Sequence, residues 1–483
     1  MNDKKAKYIT TTLPYVNDAP HIGFAAEIVA ADIMARFWGR QGYEVFFNTG
    51  TDEHGQKIAK AADAKGESRQ AYVDHFAAEF KKLAAADTGL NLSYDKFIRT
   101  TDEVHQKAAQ ALWRICAENG DIYKKKYIGL YCVGCELFYK ESELDENKCC
   151  LIHKKPVEEI EEENYFFRLS KYQAPLLEYL SDDTRNKPDW QRQWAYDFVK
   201  RGLDDLSISR QKSRMDWGVP VPEDDDQVMY VWFDALINYI STLGWPDESE
   251  NGNFKKFWQE GETYQVAGKD QVRFQSIIWQ AMLMSANIKT TDKIFYRGFI
   301  NIAGQKMSKS LGNVISPYEM ITKYGVDATR YLLLAHTHPS DDTDITWEKL
   351  DEWYTADLVN GLGNVVARVM KMAETHLNES ITISESFVFP EDIVDALEQF
   401  NFPAATGIVW KQISDLDERI TTEEPFKLVK TDKEAAKKII EELVYGVYLV
   451  GRAIGPLMPA TSSIITDAVL ENKKPENLFG RLG

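Results

Sequence analysis

The sequence predicts an α/β protein: a Rossmann-like, doubly wound parallel sheet, split by a cysteine-bearing insertion and followed by an all-α helical bundle. Three observations carry this. Short β-branched runs alternate with helically spaced apolar residues near the N-terminus and again beyond residue 226. Between these stretches the rhythm breaks, and all five cysteines lie there. From about Trp347 onward strand signal fades while helical spacing persists.

Residues 8–13 (YITTTL) read as a buried strand, and Ala25 to Gln41 as a helix ended by Gly42. A second strand, Glu44 to Thr49, precedes helices around Ile58 to Lys65 and Ala71 to Leu83. Alternation resumes with strands at Val228–Trp232, Tyr264–Ala267 and Ile294–Ile300, and a helix over Phe274 to Ala286. Further helices are expected at Ala356–Met372, Ile393–Phe400, Ala404–Leu416, Ala435–Ala453 and Ile464–Leu470. The expected domains are residues 1–114 and 226–345 for the two sheet halves, 115–225 for the insertion, and 346–483 for the bundle.

At 483 residues the chain exceeds one hydrophobic core. Its 44% hydrophobic and 27% charged residues are those of a globular protein, without a signal-peptide core or a membrane-length apolar run. Few, clustered cysteines fit a metal site in a reducing compartment, so a cytoplasmic location is expected. The net charge of −18 argues against indiscriminate binding of polyanions such as DNA, but not against one docked nucleic acid. The run Glu158–Glu163 reads as solvated surface, and Lys200, Arg201, Arg210, Lys212 and Arg214 as a basic cluster.

Four constellations carry chemistry. Leu13 to Phe24 (LPYVNDAPHIGF) leaves a strand and opens a helix, where backbone N–H groups and the helix dipole favour phosphate. Gly23 would let a base lie against bare backbone, and His21 could donate to a phosphate oxygen. Lys306 to Ser310 (KMSKS), between Gly304 and Gly312, makes a cationic clamp for charge developing on a triphosphate. Cys132, Cys135, Cys150 and His153 have the C-x2-C, C-x2-H spacing of a structural zinc knuckle. Spacing alone admits Cys149 in place of Cys150, and Cys116 reads as a core thiol. Tyr15, Trp232, Tyr239, Phe274 and Trp279 belong to segments ending at the sheet's carboxyl edge, an aromatic setting suited to a thioether. Asp52 at the end of the second strand could take an ammonium group.

The first two segments resemble the His-Ile-Gly-His and Lys-Met-Ser-Lys-Ser signatures of class I aminoacyl-tRNA synthetases. With NTGTDEHG, LYCVGCELFY, NYFFRL, DLSISR, YVWFDALINY, AGKD, KMSKSLGN and EEPFKL, the chain resembles the methionyl-tRNA synthetase family from residue 8 to its end. The resemblance implies that Leu13, Tyr15, Asp52, Trp232, Ala235 and Tyr239 contact methionine, with Phe274 and Gln275 beside its side chain. It implies Arg210 for the carboxylate, and Gly268 and Asp270 for the ribose of ATP. Pro20, His21, Gly23, Lys306, Ser308, Lys309 and Ser310 would hold ATP, with His21, Lys306, Lys309 and Arg210 acting in catalysis. The family register favours Cys150 as the third zinc ligand. Asn364 and Arg368, one turn apart on a helix, and Phe426 would read the anticodon of tRNA(Met). ATP with Mg2+, L-methionine and tRNA are the expected partners of a monomer. Two residues depart from the family pattern: Phe24 replaces the last signature histidine, and Gln275 stands where a histidine is usual. The rival readings are another class I synthetase for an aliphatic amino acid and a catalytically weak tRNA-binding paralogue.

Overall fold

A computed structural model describes residues 6–132, 137–139, 141–152, 154–247, 252–307, 314–383 and 386–482. They fall into two compact units, one of residues 1–19, 38–82 and 94–296, the other of 20–37, 83–93 and 297–483.

Up to residue 297 the strands are β1 (Ala6–Thr11), β2 (Glu44–Thr51), β3 (Lys96–Arg99), β4 (Ile122–Cys132), β5 (Leu137–Tyr139), β6 (Glu158–Phe167), β7 (Asn186–Lys187), β8 (Leu206–Ser207), β9 (Ser209–Gln211), β10 (Gln227–Met229), β11 (Glu262–Gly268) and β12 (Lys293–Arg297). The main sheet has the order β3-β2-β1-β11-β12-β7. β1 lies parallel to both β2 and β11, and the β2–β3 and β12–β7 pairs are parallel too. The succession of strands therefore changes side at β1, a switch point that opens a crevice beyond the carboxyl ends. β1 is buried on both faces, which is why it reads as a continuous β-branched run and not as an alternation. Tyr8 anchors the core below it, edge-on to Trp258 at 5.9 Å, and Trp258 in turn meets Trp279 at 6.0 Å.

The segment expected as an insertion builds an antiparallel sheet of order β5-β4-β6-β8, and also supplies β7 to the main sheet. The acidic run is the start of β6, paired along β4 from Tyr131 to Ile122. Glu158, Glu159 and Glu161 are exposed as expected, but Glu162 is buried and meets Arg214 at 2.8 Å.

Some expected elements differ. The strand expected over Val228–Trp232 ends at Met229, and Val231–Ala235 is a short helix. Its β-branched and aromatic residues favour a strand, but a buried carboxylate at Asp234 fixes the segment from outside, so tertiary context overrides propensity. The helix expected from Phe274 opens as a π-helical turn, Arg273–Ile278, before Trp279–Ser285.

In the second unit β13 (Ile300–Ile302) lies between β14 (Gln305–Lys306) and β15 (Thr343–Ile345). The single strand expected over Ile294–Ile300 is interrupted at Gly298, where a Cβ would stand 2.1 Å from the Asp341 carbonyl oxygen. Beyond it come mainly helices, among them Asn364–His376, Phe402–Glu423, Lys433–Ala453 and Pro459–Glu471. A buried cation ties this unit together: Arg330 donates to Asp32 at 2.7 Å and to the carbonyls of Leu90 (2.8 Å), Pro456 (3.0 Å) and Leu457 (2.7 Å). Asp32 also accepts from Arg36 and from the backbone and hydroxyl of Ser93. Among the described residues no helix is long and apolar enough to cross a membrane.

Candidate active site

In the first unit the carboxyl ends of β1 and β2 continue their pairing through the bridge Tyr15–Asp52, with Val16 N–H donating to Asp52 O and Asp52 N–H to Pro14 O. Leu13 and Tyr15 are half-buried there and Asp52 is buried. The short helix Val231–Ala235 carries Trp232 and Ala235, and the turn Asn238–Ser241 carries Tyr239. Trp232 stacks on Phe274 with centroids 4.1 Å apart. Gln275, buried in the π-helical turn, donates through Nε2 to the Tyr239 hydroxyl at 2.7 Å, and Tyr239 leans on Trp279 at 5.7 Å. The π-turn adds a residue to one helical repeat, and both Phe274 and Gln275 reach these partners from it. Trp232 Nε1 and Gln275 Oε1 are buried without a hydrogen-bond partner among the described residues. The cluster thus combines aromatic faces with a few unsatisfied polar atoms, the make-up of a small-molecule site.

The β2 end is rigidly held. Glu53 takes two hydrogen bonds from Arg99, at 2.7 and 2.8 Å, and one each from Thr51 and Thr101. Trp217 donates to the Glu53 carbonyl at 2.6 Å. At the end of β11, a Cβ on Gly268 would meet Asp270 Oδ1 at 2.8 Å, so the exposed Asp270 carboxylate folds over a position where glycine leaves room. Arg210 lies on β9 opposite Val228, four residues before Trp232. Its guanidinium stacks over Tyr230 at 4.3 Å and donates to Ser209 O and Ser207 Oγ.

The second unit holds the remainder of the first signature. Pro20 is buried, His21 exposed, and Ile22–Arg40 is a helix. The expected free N–H groups are partly occupied: Ile22 donates to Ile315 O at 3.2 Å, and Gly23 to His21 Nδ1 at 3.1 Å. With Nδ1 accepting, the neutral imidazole carries its proton on Nε2, the tautomer that can donate to an anion. A Cβ on Gly23 would meet His21 Cε1 at 2.9 Å and Met307 Cε at 3.4 Å. The flanks of the two signatures therefore touch at Ile22–Ile315 and Gly23–Met307. Lys306 ends β14, while its side chain and Ser308, Lys309 and Ser310 lie outside the described residues. Phe24 is buried, 9% exposed.

Of the zinc set, Cys132 and Cys150 are buried, and Cys135 and His153 lie outside the described residues. Cys150 Sγ lies 3.8 Å from the hydroxyl of Tyr139 on β5, the strand paired with the end of β4 that carries Cys132. Cys149 is less buried, and its thiol turns to Asn147 O. Among the described residues no group of three or more His, Cys, Asp or Glu side chains is arranged to hold a metal ion. Cys116 is buried and its thiol is pushed up to about 12 by burial, an inert core group.

In the helical part Asn364 is exposed at the start of Asn364–His376. Arg368 forms an ion pair with Asp417, and Phe426 is 43% exposed. Arg368 and Phe426 line one cleft with Lys371, His376 and Lys474; Asn364 is not among its lining residues.

Within the segment TDEHG the sequence points to Asp52 alone, yet His54 is held as firmly. Asp234, wholly buried, accepts from His54 Nδ1 at 2.6 Å and His105 Nε2 at 2.8 Å, and His105 Nδ1 meets Ser241 Oγ at 2.9 Å. Burial pushes the Asp234 carboxyl up, but the two imidazoles outweigh it and hold the group at about 2. A lone carboxylate inside VWFDAL was the signal available, since such a residue is seldom buried unless paired.

The model for tRNA synthetases class I (M) matches residues 7–149 and 139–370. The methionine–tRNA ligase of Fusobacterium nucleatum is 38% identical over 98% of this chain and 76% of its own length. That of Thermotoga maritima is 39% identical over 97% and 76%. Among solved structures, a Mycobacterium tuberculosis methionyl-tRNA synthetase in complex with methionyl-adenylate superposes with a TM-score of 0.88 at 36% identity, covering 96% of this chain and 93% of that one. A parallel sheet with its switch at β1, two signature segments whose flanks touch, and similarity to these ligases over nearly the whole chain show that the chain belongs to the class I tRNA synthetases and, within them, to the methionine–tRNA ligase family.

Proposed function

We propose that this chain activates L-methionine with ATP·Mg2+ and transfers the methionyl group to the 3′ end of tRNA(Met). The observation that carries the reading is the Trp232–Phe274 stack beside the Tyr239–Gln275 hydrogen bond, in the same unit as the Tyr15–Asp52 bridge. A thioether suits ring faces and edges, and Asp52 supplies a counter-charge for the ammonium. In the first step a methionine carboxylate oxygen attacks the α-phosphorus. The Pα–O bond to the leaving group breaks, and pyrophosphate departs. The carboxylate is already a nucleophile, so catalysis is positioning and charge stabilisation, with no base to find. Pro20, His21 through Nε2, Gly23, Lys306, Ser308, Lys309 and Ser310 would hold the triphosphate, Gly268 and Asp270 the ribose, and Arg210 the methionine carboxylate. In the second step a ribose hydroxyl of the tRNA attacks the mixed anhydride and AMP leaves.

Asn364, Arg368 and Phe426 would read the anticodon; a half-exposed ring beside a guanidinium is what an unpaired base needs. Cys132, Cys135, Cys150 and His153 would hold one structural zinc, and two buried thiols at the β4–β5 end suit it. The cysteine usage suits a cytoplasmic enzyme, which we take to act as a monomer. The test is ATP–pyrophosphate exchange: methionine should support it far better than leucine, isoleucine or valine. Equal exchange with a branched amino acid would remove the methionine assignment and leave the class intact.

A further inference from the structure

The reaction outlined above makes no use of the buried group formed by Asp234, His54 and His105, and the placement of that group is regular. His54 stands two residues after Asp52. Asp234 stands two residues after Trp232 and immediately before Ala235, and Ser241 two residues after Tyr239. Each of these proposed methionine contacts is therefore tethered, within two residues, to one hydrogen-bonded chain.

The hydrogen-bonded chain joins four segments: the loop after β2, the helix Glu103–Glu118, the short helix Val231–Ala235 and the turn Asn238–Ser241. Asp234 Oδ2 takes the His54 bond from the loop after β2, and Oδ1 takes the His105 bond from the helix Glu103–Glu118. His105 carries it on to Ser241. Exposure is 0% at Asp234 and His105, 1% at Ser241 and 4% at His54, so water does not substitute for any of these partners. His54 is also braced edge-on against Trp217, with centroids 5.6 Å apart, and Trp217 is the residue that donates to the Glu53 carbonyl. Two imidazole N–H donors on one carboxylate fix its plane. That in turn fixes the turn of helix bearing Trp232 and Ala235, because the Asp234 N–H is bonded to Tyr230 O and its carbonyl accepts from Ile237.

We propose that Asp234, held by His54 and His105, is a positioning residue of the amino-acid pocket, keeping the ammonium side at Asp52 in register with the thioether side at Trp232, Ala235 and Tyr239. This rests on the reading of those residues as the methionine site. The group sets the separation between the two ends of a bound methionine. Loosening it should therefore cost methionine binding and leave ATP binding in place.

Steady-state pyrophosphate exchange on the full chain tests this with Asp234→Asn, His54→Ala and His54→Asn. Asparagine at 234 can accept from only one imidazole, and asparagine at 54 keeps a donor near the Nδ1 position. Loss of one charged hydrogen bond should raise the methionine KM about tenfold or more in Asp234→Asn and His54→Ala. The ATP KM should stay within about twofold, and His54→Asn should recover much of the loss. Methionine and ATP KM rising together, or a methionine KM unchanged in folded variants, would overturn the proposal. If Asp234→Asn does not fold, His54→Ala at the edge of the network decides by the same split. Absence of methionine-dependent exchange in the native chain would instead sink the functional reading on which the proposal rests.

Discussion

Phe24 is the residue at which this chain departs most plainly from the signature of its family, and its burial tells what the departure does. At 9% exposure the ring is buried, so an imidazole there would give up most of its hydration. The donor that a histidine would have supplied is worth on the order of 3 kcal/mol at most, by analogy with other charge-stabilising donors. His21, Gly23 and the helix N-terminus remain. The native chain should therefore form methionyl-adenylate in single turnover. Phe24→His should lower its melting temperature and change the rate by no more than about a thousandfold. No adenylate from the native chain, with full activity in the variant, would mark it as a disabled paralogue. At this scale the sequence was informative wherever a residue type matched a local chemical need: aromatics for a thioether, a carboxylate for an ammonium, glycine where Asp270 folds over Gly268. For Asp234 it offered only a lone carboxylate in an apolar run, and could not name partners that lie 180 and 129 residues away.

Elements were legible in kind more than in detail. Helical and strand periods located β1, β2, β11 and the helix Lys433–Ala453 closely, but stopped the helix Phe402–Glu423 at Leu416. The π-turn at Arg273–Ile278 and the helix at Val231–Ala235 were not visible, since both are set by what they pack against. The helix Ile22–Arg40 illustrates the same dependence. Its Asp32 is wholly buried and lies on Arg330, with burial pushing the carboxyl up and Arg330 and Arg36 bringing it below its ordinary value. Arg330→Ala should leave that buried carboxylate with Arg36 as its one remaining cationic partner and strip the donors from three buried carbonyls, costing about 3 kcal/mol, read as a lowered urea midpoint or melting temperature. Pairing Arg330→Met with Asp32→Leu should recover only part. The carbonyls of Leu90, Pro456 and Leu457 would still lack their donor. Full stability in the single variant would show that the buried pair contributes nothing to the unit.

For the molecule as a whole, the compact units are built from segments distant in sequence. Residues 20–37 and 83–93 group with 297–483 in the second unit, through bonds such as Arg330 to Leu90, and sequence separation gives no sign of them. Net charge, by contrast, reads directly from the residues and sets two opposing responses to acid. With −18 at neutral pH and an isoelectric point near 5.1, mild acidification relieves self-repulsion, a diffuse effect screened beyond roughly 8 Å at physiological salt. Below that range specific pairs are lost. Asp234 is held at about 2 against an ordinary 3.8, burial opposing and the two imidazoles prevailing. Glu262 is likewise held at about 2, its burial outweighed by Tyr264, Lys7 and Lys293, although its partial exposure makes it the weaker contributor. A carboxyl with a depressed folded value stabilises fully above its unfolded value and loses that contribution as pH falls through the folded one. For Asp234 this amounts to on the order of 2 kcal/mol, lost between about pH 4 and pH 2. The urea midpoint, followed by far-UV circular dichroism, should hold or rise slightly from pH 7 to about 5 and then fall steeply below about 4. Asp234→Asn should lower the plateau and flatten the fall, because its side chain no longer titrates. A midpoint that kept rising as the solution was taken to pH 3 would mean that charge repulsion, and not the paired carboxylates, governs the stability of this chain.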